Sequence, residues 1–70
     1  IKVYPNPVNN MLFISGNEIS YAIEIYNLLG QRIIKAENVN QIDVSNYQNG
    51  VYSLKISTEN STAIKRIIKF

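Results

Sequence analysis

The sequence predicts a small all-β protein, a seven-stranded antiparallel β-sandwich. Twelve Ile, five Val and five Tyr among 70 residues favour strands over helices. Apolar and polar residues alternate with a period of two along several segments, as they do in half-buried strands. Ten Asn, three Gly and two Pro fall largely between these segments, where they are typical of turns. Strands joined by tight turns in one small chain favour two sheets packed face to face.

The alternation and the turn residues together place the strands in order. We predict them at 1–4, 11–15, 19–27, 32–36, 41–45, 51–57 and 62–70. The clearest is 19–27, which puts Ile19, Tyr21, Ile23 and Ile25 on one face. The first strand ends at Pro5-Asn6-Pro7, because proline cannot donate to a sheet ladder.

Two further segments carry specific expectations. Leu28-Leu29-Gly30-Gln31 predicts a hairpin turn, since Gly30 is free to adopt positive φ. In the last strand Ile64, Arg66, Ile68 and Phe70 share one parity, while Lys65, Ile67 and Lys69 share the other. Neither face is cleanly apolar, so a β-bulge is expected there.

Length and composition limit what this chain can do. Seventy residues make one domain, which we place at 1–70 and expect to be cut from a longer protein because it opens on Ile1. The absence of Cys and His removes disulfide, zinc-finger, haem and thiol chemistry. A net charge of +2 is unlike the dense basic face of a nucleic-acid-binding domain. Apolar runs of at most four residues are too short for a membrane span.

The titratable residues give no sign of an active site. The five acids, Glu18, Glu24, Glu37, Asp43 and Glu59, are never closer than six residues in sequence. Without His or Cys, the nucleophiles and bases available are Ser, Lys and carboxylate. There is no calcium loop and no glycine-rich phosphate loop. We therefore predict no enzyme activity, no catalytic or metal-binding residues and no cofactor.

Two surfaces could bind a partner. The tyrosines could form a sugar-stacking face, although Tyr21 and Tyr52 are in phase with the apolar faces and Tyr26 is the best candidate for exposure. This leaves a carbohydrate-binding accessory module of a secreted enzyme as an alternative function, and a structural spacer as another. Lys65, Arg66 and Lys69 could meet phosphate or lipid head groups, but cations on an edge strand also prevent unwanted strand pairing, which we favour.

The order of the turn and strand motifs resembles a known family. Val3-Tyr4-Pro5-Asn6-Pro7-Val8 comes first, followed by Leu12-Phe13-Ile14 and then by Ile25-Tyr26-Asn27-Leu28-Leu29-Gly30-Gln31-Arg32-Ile33. Ile42-Asp43-Val44-Ser45, Asn49-Gly50-Val51-Tyr52-Ser53-Leu54-Lys55-Ile56 and Lys65-Arg66-Ile67-Ile68-Lys69-Phe70 follow. The whole chain resembles the C-terminal sorting domain of type IX secretion cargo proteins from Bacteroidetes.

This resemblance implies an Ig-like β-sandwich at the end of a larger secreted protein, where it serves as an address for the outer-membrane translocon. It implies transit through the periplasm, then the cell surface or the medium. A sortase-like surface protease commonly removes such a domain, and the passenger is released or attached to anionic lipopolysaccharide. The residues carried over are Pro5 and Pro7 of the first turn, Gly30 of the hairpin, Gly50 and Tyr52, and the basic final strand with Lys65 and Lys69.

A sorting signal of this kind has to be recognised as a surface. We expect the last strand, above all Ile67, Ile68, Lys69 and Phe70, to be the recognised element, through strand addition to the sheet edge of a partner. Exposed sheet edges on a small core also allow a homodimer of the isolated domain.

Overall fold

The structure is a computed structural model that describes residues 1–16 and 20–70. Within these ranges the chain forms seven strands and no helix. The strands are β1 (Lys2–Tyr4), β2 (Met11–Ser15), β3 (Tyr21–Tyr26), β4 (Arg32–Glu37), β5 (Gln41–Asp43), β6 (Gly50–Thr58) and β7 (Thr62–Lys69). The predicted fold class and the order of strands are confirmed, with ends that differ by up to two residues; Ile19 lies outside the described residues.

The strands form two antiparallel sheets. The three-stranded sheet has the order β1-β2-β5 and the four-stranded sheet has the order β4-β3-β6-β7. The longest pairing joins β6 to β7 over eight residue pairs, from Gly50 opposite Lys69 to Ser57 opposite Thr62. The β3–β4 hairpin follows the predicted turn, with Ile25 opposite Ile34. The two sheets belong to the sandwich class with an Ig-like arrangement.

The core lies between the inner faces of the sheets. It consists of alternate residues of the strands, Leu12, Ile14 and Ile42 from one sheet and Ile23, Ile25, Tyr52, Leu54, Ile56 and Ile67 from the other, together with Val8 and Val44 from the connecting segments. Leu12, Ile23 and Leu54 have no exposed surface. Each fully buried aliphatic side chain contributes about 1.5–3 kcal/mol to folding, so this cluster is the principal source of stability.

The described strands contain a β-bulge, but it is not in the last strand. The register of β7 against β6 runs without a shift, whereas that of β3 against β4 shifts between Ile25 and Tyr26. The mixed pattern of β7 has another cause. Ile67 and Lys69 point inward and are buried, while Ile64 and Ile68 point outward and are 71% and 41% exposed. The strand carries isoleucines on its outer side.

Candidate recognition surface

The turn between β1 and β2 closes the outer edge of β7. Both prolyl peptide bonds of this turn, Tyr4-Pro5 and Asn6-Pro7, are cis. The side chain of Asn6, between them, donates from Nδ2 to the Arg66 carbonyl at 2.8 Å and accepts at Oδ1 from the Ile68 amide at 3.0 Å. A single asparagine amide thus supplies both a donor and an acceptor, as a neighbouring strand would.

Val8 extends the same contact by one residue pair. Its amide donates to the Ile68 carbonyl at 2.8 Å, and its carbonyl accepts from the Phe70 amide at 3.0 Å, in a short parallel bridge opposite Lys69. These are main-chain groups of β7 that point away from β6. We call residues 5–8 the prolyl latch. The latch occupies the edge of β7 between Arg66 and Phe70.

The side chains at the end of β7 alternate between core and solvent. Ile67 is 4% exposed and packs in the core. Lys69 is 6% exposed, with its stem buried and Nζ donating to the Phe70 carbonyl at 3.0 Å. Phe70 is 58% exposed. The strand therefore presents Ile68 and Phe70 to solvent, together with Arg66, rather than the charge of Lys69.

The pairing of β6 with β7 places Gly50 and Tyr52, two of the predicted site residues, beside this end of β7. Gly50 lies opposite Lys69 and Tyr52 opposite Ile67. The Tyr52 ring is buried, its hydroxyl donates to the Gln48 carbonyl at 2.6 Å, and it packs against the Tyr47 ring at a centroid distance of 5.5 Å. Burial raises the pKa of the Tyr47 phenol. Tyr52 thus anchors the 46–50 turn.

The Gly30 hairpin lies at the same end of the four-stranded sheet. Asn27 organises it: its Oδ1 accepts from the amides of Leu29 and Gln31, each at 3.0 Å, and its carbonyl accepts from Gly30. Gly30 has φ of 83°, as predicted. The turn holds Leu28 and Leu29 in solvent, 78% and 84% exposed. A shallow groove separates these leucines from residues 48–52.

The structure therefore gathers most of the predicted residues at one end of the sandwich. Those brought together are Pro5, Pro7, Gly30, Gly50, Tyr52, Ile67, Ile68, Lys69 and Phe70. Lys65 is apart from them, half-buried and opposite Leu54 in the middle of β6. Asn6, Leu28 and Leu29 also lie here and were not predicted from the sequence. Two features of the sequence could have identified them. Asn6 is a polar residue between two prolines, and Leu28 and Leu29 are adjacent leucines in a turn.

The outer face of the four-stranded sheet carries an interacting group of charged side chains. The Glu24 carboxylate accepts from the Tyr26 hydroxyl at 2.7 Å and from the Arg32 guanidinium at 3.3 Å. The hydrogen bond from Tyr26 lowers the pKa of Glu24, and Arg32, Lys55 and Lys35 lower it further against the desolvation of the carboxylate. The same hydrogen bond raises the pKa of Tyr26. Glu24 is thus held as an anion among cations.

The tyrosines do not form the face that the sequence suggested. Tyr26, the predicted exposed ring, is half-buried and bonded to Glu24. Tyr21 packs against the core and donates to the Val39 carbonyl. The exposed ring is Tyr4 on the three-stranded sheet, which is 47% exposed and packs against Phe13 at 5.8 Å. This pair is the surface that could stack on a sugar.

Other kinds of site have little support. Across residues 1–16 and 20–70, no group of three or more acids lies close enough to hold a metal ion. Nor does the described chain contain a helix with the length and hydropathy of a membrane span.

Fold and surface together define a small Ig-like β-sandwich whose distinctive residues converge on the end of its last strand. A family model described as a secretion system C-terminal sorting domain matches residues 2–70. The chain therefore belongs to the family of type IX secretion C-terminal sorting domains. Comparison with curated proteins gave no match. Members of this family are generally non-catalytic, interact with the secretion machinery and direct export to the cell surface or the medium.

Proposed function

We propose that the chain is a non-catalytic address that directs a passenger protein across the outer membrane through the type IX translocon. The observation that supports this best is the convergence of the prolyl latch, the 46–50 turn and the hairpin tip on the end of β7. Such a surface suits recognition by a protein, because it is built from main-chain pairing and exposed apolar side chains rather than from a pocket.

The recognised element in this proposal is the end of β7 with residues Ile67 to Phe70. Strand addition to this edge requires release of the latch, because Asn6 and Val8 already pair with the outward main-chain groups from Arg66 to Phe70. The partner strand would replace residues 6–8. Ile68 and Phe70, exposed on the outer face, would be covered at the same time.

The remaining steps of export follow from the same proposal. Residues 1–70 form the address and the passenger precedes them in a longer protein. The passenger crosses the periplasm, a sortase-like surface protease removes the address, and the passenger is released or joined to anionic lipopolysaccharide. The address itself has no enzyme activity and needs no cofactor.

The test is export of a fluorescent reporter that carries a Sec signal and residues 1–70. It is compared in a host with an intact type IX translocon and in one without it. The proposal expects reporter outside the cell only in the first host, and retention when residues 67–70 are removed while the reporter still fluoresces. Normal export of the shortened protein would show that the end of β7 is not the recognised element.

A pair of matched single substitutions distinguishes loss of recognition from loss of folding. Phe13→Ser changes an exposed residue on the opposite sheet. It should leave export unchanged, whereas Ile68→Ser, also at an exposed site, should reduce it. Circular dichroism of each isolated variant checks that the domain is folded. Equal export of both variants would contradict a role for the β7 surface.

A carbohydrate-binding module is the second candidate, supported by the exposed Tyr4 and Phe13 pair. It predicts measurable affinity for a polysaccharide that is lost in Phe13→Ser. It also predicts retention of the reporter in both hosts. Export that depends on the translocon, without polysaccharide affinity, would exclude this alternative.

A further inference from the structure

The exposed apolar side chains of the protein are distributed unequally between its two sides. Among residues 1–16 and 20–70, six lie on the outer face or at the hairpin tip of the four-stranded sheet: Leu28, Leu29, Ile33, Ile64, Ile68 and Phe70, each between 41% and 84% exposed. Ile64 and Ile68 share the outward parity of β7, and Leu28 and Leu29 project beyond β3 and β4. The opposite sheet exposes Tyr4 and Phe13, whose rings pack together and are 47% and 38% exposed.

Cations lie on the same face as these apolar side chains. The register puts Arg66, Ser53, Tyr26 and Arg32 in one row across the four strands. The adjacent row holds Ile64, Lys55, Glu24 and Lys35. Adjacent strands are separated by about 4.8 Å, so each row extends about 14 Å across the sheet.

The carboxylates of this face do not cancel its charge. Glu24 is bound by Arg32 and Tyr26, and Glu37 lies at the edge of the sheet opposite Ala22. Counting the side chains of the described residues, four cations (Arg32, Lys35, Lys55 and Arg66) against two carboxylates leave this face with an excess of two positive charges. The outer face of the three-stranded sheet carries Lys2 and Asp43, which balance.

We infer that this basic and apolar face docks on the surface of an anionic lipid bilayer. Cations attract negatively charged head groups, and exposed Leu, Ile and Phe gain free energy when they enter the interfacial region. Either contribution alone is weak, but here both come from one face of the four-stranded sheet and from the adjoining hairpin tip. Hydrogen bonds to Asn27 order the turn that presents Leu28 and Leu29, which lowers the ordering cost of binding. The inference does not depend on the proposed sorting function.

The first test is co-sedimentation of the 70-residue chain with lipid vesicles. Phosphatidylcholine vesicles are compared with vesicles in which about a third of the lipid is phosphatidylglycerol. The chain should bind the anionic vesicles alone, and binding should weaken with added salt. Lys35→Gln and Arg66→Gln should each reduce the affinity roughly fivefold. Lys2→Gln, which removes one charge from the opposite sheet, is the matched control and should retain the wild-type affinity.

A second measurement reports which side touches the lipid. The chain has no Trp, so Leu29→Trp introduces a single fluorescent probe at the hairpin tip. Its emission should shift to shorter wavelength on anionic vesicles. Phe13→Trp, on the opposite sheet, should show no shift in the same titration.

The outcomes separate this inference from its alternatives. Equal binding to neutral vesicles, equal loss in Lys2→Gln, or a shift at residue 13 without one at residue 29 would each overturn it. Binding to dextran sulfate without binding to anionic vesicles would assign the face to a soluble polyanion and would also overturn it. The export test of the proposed function can fail while vesicle binding succeeds, and the reverse, so the two failures are distinguishable.

Discussion

Asn6 pairs with Ile68, 62 residues further along the chain, as if it were part of a neighbouring strand. The Asn6 Oδ1 accepts from the Ile68 amide at 3.0 Å while its Nδ2 donates to the Arg66 carbonyl at 2.8 Å. Because Pro5 and Pro7 lack amide hydrogens, the Asn6 side chain supplies a donor where neither flanking residue can. The last strand is thus held on one edge by β6 and on the other by the prolyl latch.

Removal of this amide should loosen the edge of β7. Asn6→Ala loses both hydrogen bonds and should lower the free energy of unfolding by about 1–2 kcal/mol. Hydrogen exchange at the Ile68 amide should become faster. Asn6→Asp keeps an acceptor for Ile68 but loses the donor to Arg66, so its effect should be smaller on Ile68 exchange. Unchanged exchange at Ile68 in Asn6→Ala would show that the latch does not protect this edge.

Two aliphatic residues on neighbouring strands should respond very differently to truncation. Leu54 is fully buried, and Leu54→Ala should cost about 2–5 kcal/mol through lost burial and a residual cavity. Ile64 is 71% exposed on the outer face, and Ile64→Ala should cost about 1 kcal/mol or less. Urea unfolding measures both. Comparable losses would mean that Ile64 lies in the core and that the described register of β7 is wrong.

The hairpin turn has room for a side chain at position 30, but it requires a positive φ there. Gly30 has φ of 83°, and a Cβ added there meets no atom within 4 Å. Gly30→Ala should therefore destabilise by about 1 kcal/mol for conformational reasons alone. Gly30→Asn should cost less, because Asn tolerates left-handed geometry better than Ala. Thermal unfolding compares the two, and an equal loss would point to a steric cause.

The carboxylate on the outer face should make stability depend on acid pH. The hydrogen bond from Tyr26 lowers the pKa of Glu24 in the folded chain, with further lowering by Arg32. A lowered folded pKa gives a contribution that is complete above the unfolded pKa and is lost as pH falls through the folded pKa. Stability should thus decline below about pH 5.

Glu24→Gln tests this assignment because the amide keeps an acceptor for Tyr26 but cannot titrate. Its stability should fall less steeply with pH than that of the wild type, as measured by urea unfolding at a series of pH values. Glu37→Gln, on the same face, is the control for the loss of one negative charge. An identical slope in Glu24→Gln would place the acid sensitivity elsewhere.

Most strands could be predicted from local patterns, because each has its own alternation of apolar and polar residues and its own flanking turn residues. The alternation of Ile23 and Ile25 with Glu24 and Tyr26 sets which face is buried, and Gly30 sets the turn. The last strand was harder. Its parity depends on what the opposite sheet covers, and β7 buries Lys69 while it exposes Ile68. No local pattern indicates which face of β7 is buried. A bulge was therefore predicted in a strand that is regular.

The candidate recognition surface was predictable only in part for a similar reason. Pro5, Gly50 and Phe70 were identified as separate motifs, yet their proximity depends on pairings between distant segments. The role of Asn6 is invisible without those pairings, since Asn is common in this chain and typical of any turn. Conversely, the burial of Tyr52 followed from its phase within β6 and was predicted.

The latch also sets an order of events during biosynthesis. Residues 5–8 emerge from the ribosome long before residues 66–70, so the edge of β7 cannot close until translation has passed the last strand. Contacts of such large sequence separation slow folding, because the intervening loop must be closed first. The domain is therefore expected to remain open through most of its own synthesis. Any factor that engages the nascent chain has that interval in which to act.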